Sequence, residues 1–248
     1  MDESIKNLIK SEVAKTRTAL LLKLDELNID AILDKMNVYL QATISSNLHI
    51  ILHRALAAHV YASQESVYGN VLERIAIAVC GLNSKSSTTG VDLDFQRGRE
   101  RILMALKSGE NWSNSSSAKT QSKNLTQAKR TIKQNDKSPV TTMVGHCCGR
   151  RRTSNKSQLA DITISGQNTW YLISGDKEFY KKIAHEMNSG TEEFEKALEL
   201  KKQETFNRLL NELHKLCPEE ADIWDFLTER CCKNYSDDDR LLKNIMES

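Results

Sequence analysis

The chain has 248 residues, 39% of them hydrophobic and 27% charged, which is enough to bury a real core and excludes a disordered or fibrous protein. Its net charge of +2 hides a strong asymmetry: residues 1–96 carry 9 basic and 11 acidic side chains, residues 97–156 carry 14 and 3, and residues 157–248 carry 12 and 19. A basic belt of that density repels itself on folding; phosphate is the common biological polyanion that relieves it, and a solvated basic face is the alternative.

Two prolines and ten glycines favour long helices over a turn-rich all-β chain. No apolar run approaches the roughly 18–20 residues of a membrane span. The start, with Asp2, Glu3 and Lys6, lacks the apolar stretch of a signal peptide, so a soluble, cytoplasmic protein is expected. Cys80, Cys147, Cys148, Cys217, Cys231 and Cys232 contain no CxxC, which points to reduced packing thiols. Metal ligation by His146-Cys147-Cys148 is the alternative.

In chain order, Ile5, Ile9, Val13, Leu20 and Leu24 recur at helical steps up to a break at Asn28-Ile29-Asp30. A helical hairpin or bundle is expected next. Ser45 or Ser46 caps its first helix, through Ile50, Ile51, Leu56 and Val60; Ser63 or Ser66 introduces the second, through Val67, Val71, Leu72, Ile75 and Val79 to Gly81. His49 and His53 share a face and read as packing or surface residues, as does His59. Residues Ser84 to Gly90 have loop chemistry. Val91, Leu93 and Phe95 then alternate with Asp92, Asp94 and Gln96 as in a half-buried strand. A turn at Arg97-Gly98-Arg99 leads into the buried strand Arg101 to Leu106, giving an antiparallel hairpin. Ser113 to Ser117 offer caps for a polar helix through Leu125, Ala128 and Ile132. Val140 to Val144, Ile162 to Ile164 and Thr169 to Ile173 read as further strands, and the acidic remainder as helices broken at Gly190 and Pro218.

The chemistry concentrates in Gly90-Val91-Asp92-Leu93-Asp94 and Ile102-Leu103-Met104-Ala105-Leu106-Lys107-Ser108-Gly109. Hydrolysis of a phosphodiester needs a divalent cation, carboxylates to hold it, and a positive charge near the attacking water. Strands of a hairpin lie about 5 Å apart, so the fold brings Asp92 and Lys107 close together. A lysine that ends an apolar strand is costly unless a carboxylate or phosphate faces it. The plain alternative is a surface aspartate and a strand-terminal lysine.

The stretch Gly90 to Trp112, with Asn114-Ser115-Ser116, Gly145-His146-Cys147-Cys148-Gly149 and Gly166-Gln167-Asn168-Thr169-Trp170, resembles type II restriction endonucleases of the PD-(D/E)XK nuclease superfamily. It is similar in particular to members whose active strand reads Ser-Leu-Lys-Ser-Gly or Ser-Leu-Lys-Ala-Gly. The resemblance spans residues 66–176, and the flanking helices match only in type. It implies a Mg²⁺-dependent nuclease that reads a short palindromic duplex as a homodimer. Asp92 takes the place of the motif aspartate and Lys107 that of the motif lysine. Ala105 stands where the superfamily usually has Asp or Glu and the closer group Ser, so the second carboxylate comes from elsewhere or is replaced by water. Glu73, matching the helix-borne glutamate of many such nucleases, is preferred, although Arg74 beside it offers a simple salt bridge. Asp94, about 7 Å along the strand on the face of Asp92, comes next, and Glu110 third. The Leu106 carbonyl completes the metal set.

Ser108, Asn111, Asn114, Ser115, Lys119 and Lys123, with Arg150, Arg151 and Arg152, are the expected DNA contacts, most of them to phosphate. Lys129, Arg130 and Lys133 extend the belt, and Trp112 reads as a core or hinge aromatic. The expectation is an α/β fold: a helix-rich single domain of residues 1–248 with a mixed central sheet of the restriction-endonuclease-like type. Its nuclease core (83–175) is wrapped by helical segments 1–82 and 176–248. Phe194, Leu198, Leu209, Leu213, Trp224 and Leu227 are candidates for a dimer interface. The implied partners are double-stranded DNA and a methyltransferase of the same site specificity, with no membrane; the implied role is defence against foreign DNA. A non-catalytic DNA-binding protein on a decayed nuclease fold is the alternative, for which Ala105 is the best argument. An interaction protein built on the acidic C-terminal helices is a third.

Overall fold

The computed structural model describes residues 1–111, 114–135, 138–217, 222–234 and 245–246. Trp112, Ser113 and Pro218 lie outside the described residues. The chain forms two compact units: Met1–Thr18 with Gln64–Thr191, and Ala19–Ser63 with Glu192–Ser248. Helix-rich overall with a small mixed sheet, it belongs to the α/β class.

The first unit is built on four strands in the order β1-β2-β3-β4: β1 (Leu93–Arg97), β2 (Glu100–Lys107), β3 (Val140–His146) and β4 (Ile162–Ser165). The expected hairpin joins β1 and β2 antiparallel with Leu93 opposite Met104, and β2–β3 and β3–β4 are parallel. Helix α5 (Ser115–Asn135) makes the crossover from β2 to β3. Its apolar stripe follows the helical period: Leu125 and Ala128 are buried with Val91, Leu103, Ala105, Val140 and Val144, and Ile132 packs at the margin. The opposite face of the sheet is covered by parts of α1 (Glu3–Glu26) and α4 (Leu48–Val79) and by α6 (Gln167–Ser174) and α7 (Phe179–Met187). These helices bury Ile9, Ile75, Trp170 and Ile183 against Phe95, Ile102, Met104 and Leu106. The unit therefore has three layers, with the sheet shielded on both sides.

Two expectations give way here. Residues Thr169 to Ile173 are not a strand but the body of α6. Thr169, Trp170 and Ile173 are its buried residues, a helical spacing that the β-favouring side chains of the segment mask. The hairpin expected across residues 45–82 is one continuous helix, α4. Asn47, not Ser45 or Ser46, caps it, its Oδ1 accepting from the His49 N–H at 2.9 Å. Without Pro or a reversal at Ser63–Ser66, each backbone donor there keeps its place in the helical ladder, and the serine signal has nothing to cap.

The second unit packs the later part of α1, the short helices α2 (Ile29–Leu33) and α3 (Val38–Ala42), the early part of α4, α8 (Thr191–Leu216) and α9 (Ile223–Cys232). The apolar residues proposed above for a dimer interface are spent here. Leu198, Leu209, Leu213 and Leu227 are buried in this core, and Phe194 and Trp224 pack against it. His49 and His53 lie edge-on to Phe206, with ring centroids 4.5 and 6.0 Å away, which is a packing role.

Candidate active site

The loop before β1 delivers Asp92, and its shape has local causes. Gly90 has φ +77, and a Cβ there would meet the Asn124 side chain of α5 at 2.6 Å; only glycine accepts both that backbone and that approach. Gln121 of α5 donates to the Gly90 carbonyl at 2.7 Å. The Asp92 N–H donates to the Met104 carbonyl and the Ser86 N–H to the Asp92 carbonyl. Asp92 itself is only 6% exposed. Its Oδ2 accepts from the Leu106 N–H at 2.7 Å, the backbone group next to Lys107, where β2 ends half-buried. β1 begins at Leu93, so the strand alternation that would align Asp92 with Asp94 does not reach Asp92.

The other Asp92 oxygen meets a cation. Lys85 Nζ lies 2.5 Å from Asp92 Oδ1, and 3.1 and 3.2 Å from the two oxygens of Glu73 on α4. Glu73 and Asp92 thus converge on one positive charge. Burial works against the Lys85 ammonium, but hydrogen bonds and charges from Asp92 and Glu73 outweigh it and hold its pKa above the ordinary lysine value. Arg74, adjacent in sequence, does not pair with Glu73; it pairs with the buried Glu12, because neighbouring helical residues point about 100° apart. Asp94 is taken up elsewhere, both of its oxygens accepting from Arg101 at 2.8 Å. Ala105 is fully buried beneath α5 in an apolar cluster.

The donors fit a hard divalent ion, since carboxylate oxygens are what Mg²⁺ selects and one or two suffice alongside water and phosphate. Among the described residues, no group of three or more His, Cys, Asp or Glu is placed to hold a metal. The His146-Cys147-Cys148 alternative is included in that statement.

A second polar cluster lies past the ends of β2, β3 and β4. Glu110 accepts from the Arg151 N–H at 2.9 Å and pairs with its guanidinium at 3.1 Å. The Arg151 N–H leads in holding the Glu110 carboxyl below the usual range; burial opposes this, and the Ser165 hydroxyl and the charge of Arg151 add to it. Gly149, at φ +131, is where Glu110 crosses, and a Cβ there would sit 2.3 Å from its Oε1. His146 is buried, with Nδ1 3.2 Å from the Ile164 carbonyl and the Ser165 hydroxyl. The carbonyl can only accept, so Nδ1 carries the proton; burial dominates and pushes the imidazole pKa down, leaving it neutral at pH 7.

The candidate DNA contacts fall into two groups. Asn111, Arg151 and Arg152 line a cleft with Glu110, His146 and Ser165, and Arg150 lines an adjoining one with Gln167 and Asn168. Ser115, Lys119 and Lys123 line a groove with Arg130 and Gln158 along the exposed face of α5. Lys129 instead pairs with Asp161 at 2.6 Å. Asn114 caps α5, accepting from the Ser117 N–H at 2.9 Å. Ser108 is exposed, with its carbonyl accepting from the Cys148 N–H. Sequence reasoning missed Lys85, a single cation in a polar loop whose spacing predicts nothing. It also missed the Asp94–Arg101 pair, although a two-residue turn places them diagonally across the hairpin.

A buried aspartate and a helix-borne glutamate thus converge on Lys85 beside the end of the central strand β2, and basic residues line clefts elsewhere on the molecule. The family model of the type II restriction endonuclease EcoO109I matches residues 3–195, most of the chain, and the chain belongs to that family. It is a type II restriction endonuclease, a hydrolase that acts on DNA. No curated protein matches the chain. No helix among the described residues is long and apolar enough to cross a membrane.

Proposed function

We propose that this enzyme is a Mg²⁺-dependent nuclease of the PD-(D/E)XK type that cleaves double-stranded DNA at a short palindromic site as a homodimer. Its role is defence in the cytoplasm beside a methyltransferase of the same specificity. The observation that carries the reading is the convergence of Glu73 and Asp92 on one cation next to the backbone that ends in Lys107. Glu73 thereby takes the part left empty by Ala105. Asp92 and Glu73 would hold the Mg²⁺, with the Leu106 carbonyl as a further oxygen, and the bound ion would supply charge at the phosphate and acidify water. Asp92 is oriented for this by the Leu106 N–H. Lys107 orients the attacking water and favours its ionised form. Ser108, Asn111, Asn114, Ser115, Lys119, Lys123 and Arg150 to Arg152 hold and read the duplex. Because the apolar C-terminal residues are spent in the second unit's own core, the dimer contact is assigned to other residues.

Digesting plasmid DNA with the purified protein and sequencing the ends tests this directly. Discrete cuts with Mg²⁺ or Mn²⁺, and binding without cutting in Ca²⁺, are expected. Cleavage at full rate in excess EDTA would refute the metal mechanism. Metal-independent binding with no cleavage under any condition would favour the decayed, DNA-binding alternative.

A further inference from the structure

The cation between Glu73 and Asp92 is part of the protein. We propose that Lys85 is an exchangeable internal counter-ion: it bridges the two carboxylates before the divalent metal arrives, and duplex phosphate draws it away, so that metal and DNA bind cooperatively. This rests on the reading of Glu73 and Asp92 as metal ligands.

Three features carry the inference. Lys85 Nζ contacts one oxygen of Asp92 and both of Glu73, so the ammonium stands where a metal shared by the pair would stand. A Mg²⁺ ion needs its oxygens at about 2.0–2.1 Å, and two cations cannot share that space. The contact is also set by the fold: the N–H of the next residue, Ser86, donates to the Asp92 carbonyl, which fixes the root of the side chain beside the carboxylate. Finally, the Lys85 side chain is 49% exposed while that of Asp92 is 8% exposed. The carboxylate stays in place, and the flexible four-carbon stem can swing out.

The consequence follows from competition. While Lys85 bridges the pair, only the fraction of molecules in which it has left can take the metal, and the apparent affinity falls by that fraction. A bridge present in about 90–99% of molecules weakens metal binding roughly 10- to 100-fold. DNA phosphate offers Lys85 another anion. Metal then binds more tightly in the presence of DNA, and DNA binds more tightly in the presence of metal by the same factor. The enzyme is thereby charged with metal chiefly on DNA.

The test is a calorimetric Ca²⁺ titration of the full chain, alone and with saturating sheared plasmid DNA at low salt. Wild type, Lys85→Met, Lys85→Arg and Asp92→Asn are compared. Wild type should bind Ca²⁺ at least about 10-fold more tightly with DNA than without. Lys85→Met should bind tightly in both conditions and lose most of that gap, whereas Lys85→Arg, which keeps the charge, should preserve it. Lys85→Gln replaces Lys85→Met if the latter fails to show a cooperative melt. If the uncharged variant binds Ca²⁺ without DNA at wild-type affinity while Asp92→Asn abolishes binding, the counter-ion proposal is overturned and the metal site stands. If Asp92→Asn binds Ca²⁺ like wild type in both conditions, the metal reading falls, and this proposal with it.

Discussion

Restoring the carboxylate at position 105 should break the protein rather than improve it. Ala105 is 0% exposed on β2, which pairs with β1 on one side and β3 on the other, and it packs with Val91, Leu103, Leu125, Ala128, Val140 and Val144. In Ala105→Glu the added side-chain atoms must displace that cluster, at about 1–3 kcal/mol for overpacking. The carboxylate would enter this apolar layer, with Lys107 two residues along the strand on the same face. Ionised, it costs several kcal/mol; protonated, it still needs a hydrogen-bond partner. A loss of about 4 kcal/mol or more is set against a total stability of about 5–15 kcal/mol for a typical domain. Urea unfolding followed by tryptophan fluorescence, with the soluble yield, reads this out. Ala105→Ser, adding one hydroxyl, should lose about 1–3 kcal/mol and fold. If Ala105→Glu unfolds at the wild-type urea midpoint and cleaves DNA faster, residue 105 faces the metal, and Glu73 is not the second carboxylate.

Lys107→Ala should lower cleavage by a factor on the order of 10³ or more with DNA binding in Ca²⁺ nearly intact, and Asp92→Asn should lower it as far while losing the part of DNA binding that Ca²⁺ adds; full activity in both would put the active site elsewhere. Glu73→Gln should lose most cleavage, whereas Asp94→Asn, which breaks only the fork with Arg101, should show lower thermal stability with cleavage largely kept; the reverse pattern would exchange their roles. Replacing Arg150, Arg151 and Arg152 together by Ala should weaken DNA binding and flatten its log–log salt dependence by about 2, since Arg151 is already tied to Glu110; an unchanged slope would move the DNA track to α5. Burial opposes the Asp161 charge, yet Lys129 and Thr142 hold its pKa below the usual value. Its stabilisation is therefore present above the unfolded carboxyl pKa of about 3.9 and lost as the pH falls through the folded value. Asp161→Asn should melt below wild type at pH 7 and converge with it as the pH falls below the folded-state value; a constant difference would refute the linkage.

The local pattern of this chain determined its hairpin, its central strand and its amphipathic crossover helix. Alternation at Leu93 and Phe95, the apolar run before Lys107, and Leu125, Ala128 and Ile132 at helical spacing are periodicities that tolerate few readings. Asp92 and Lys107 could be singled out for the same reason, since a short turn fixes how two adjacent strands meet. Segments whose local signals were weak or double were decided by packing. Ser63–Ser66 look like a cap but lie inside α4, and Thr169–Ile173 look like a strand but bury a helical face against the sheet. The partners of the charged groups were decided only in three dimensions. Glu73, Lys85 and Asp92 sit on a helix, a loop and a strand entrance, and nothing in their spacing joins them. They meet because Gly90 sets its loop against α5, Ser86 ties that loop to Asp92, and α4 packs on the sheet beside them. Charge pairing acts through space over a few ångströms, whereas sequence patterns report only on neighbours along one element.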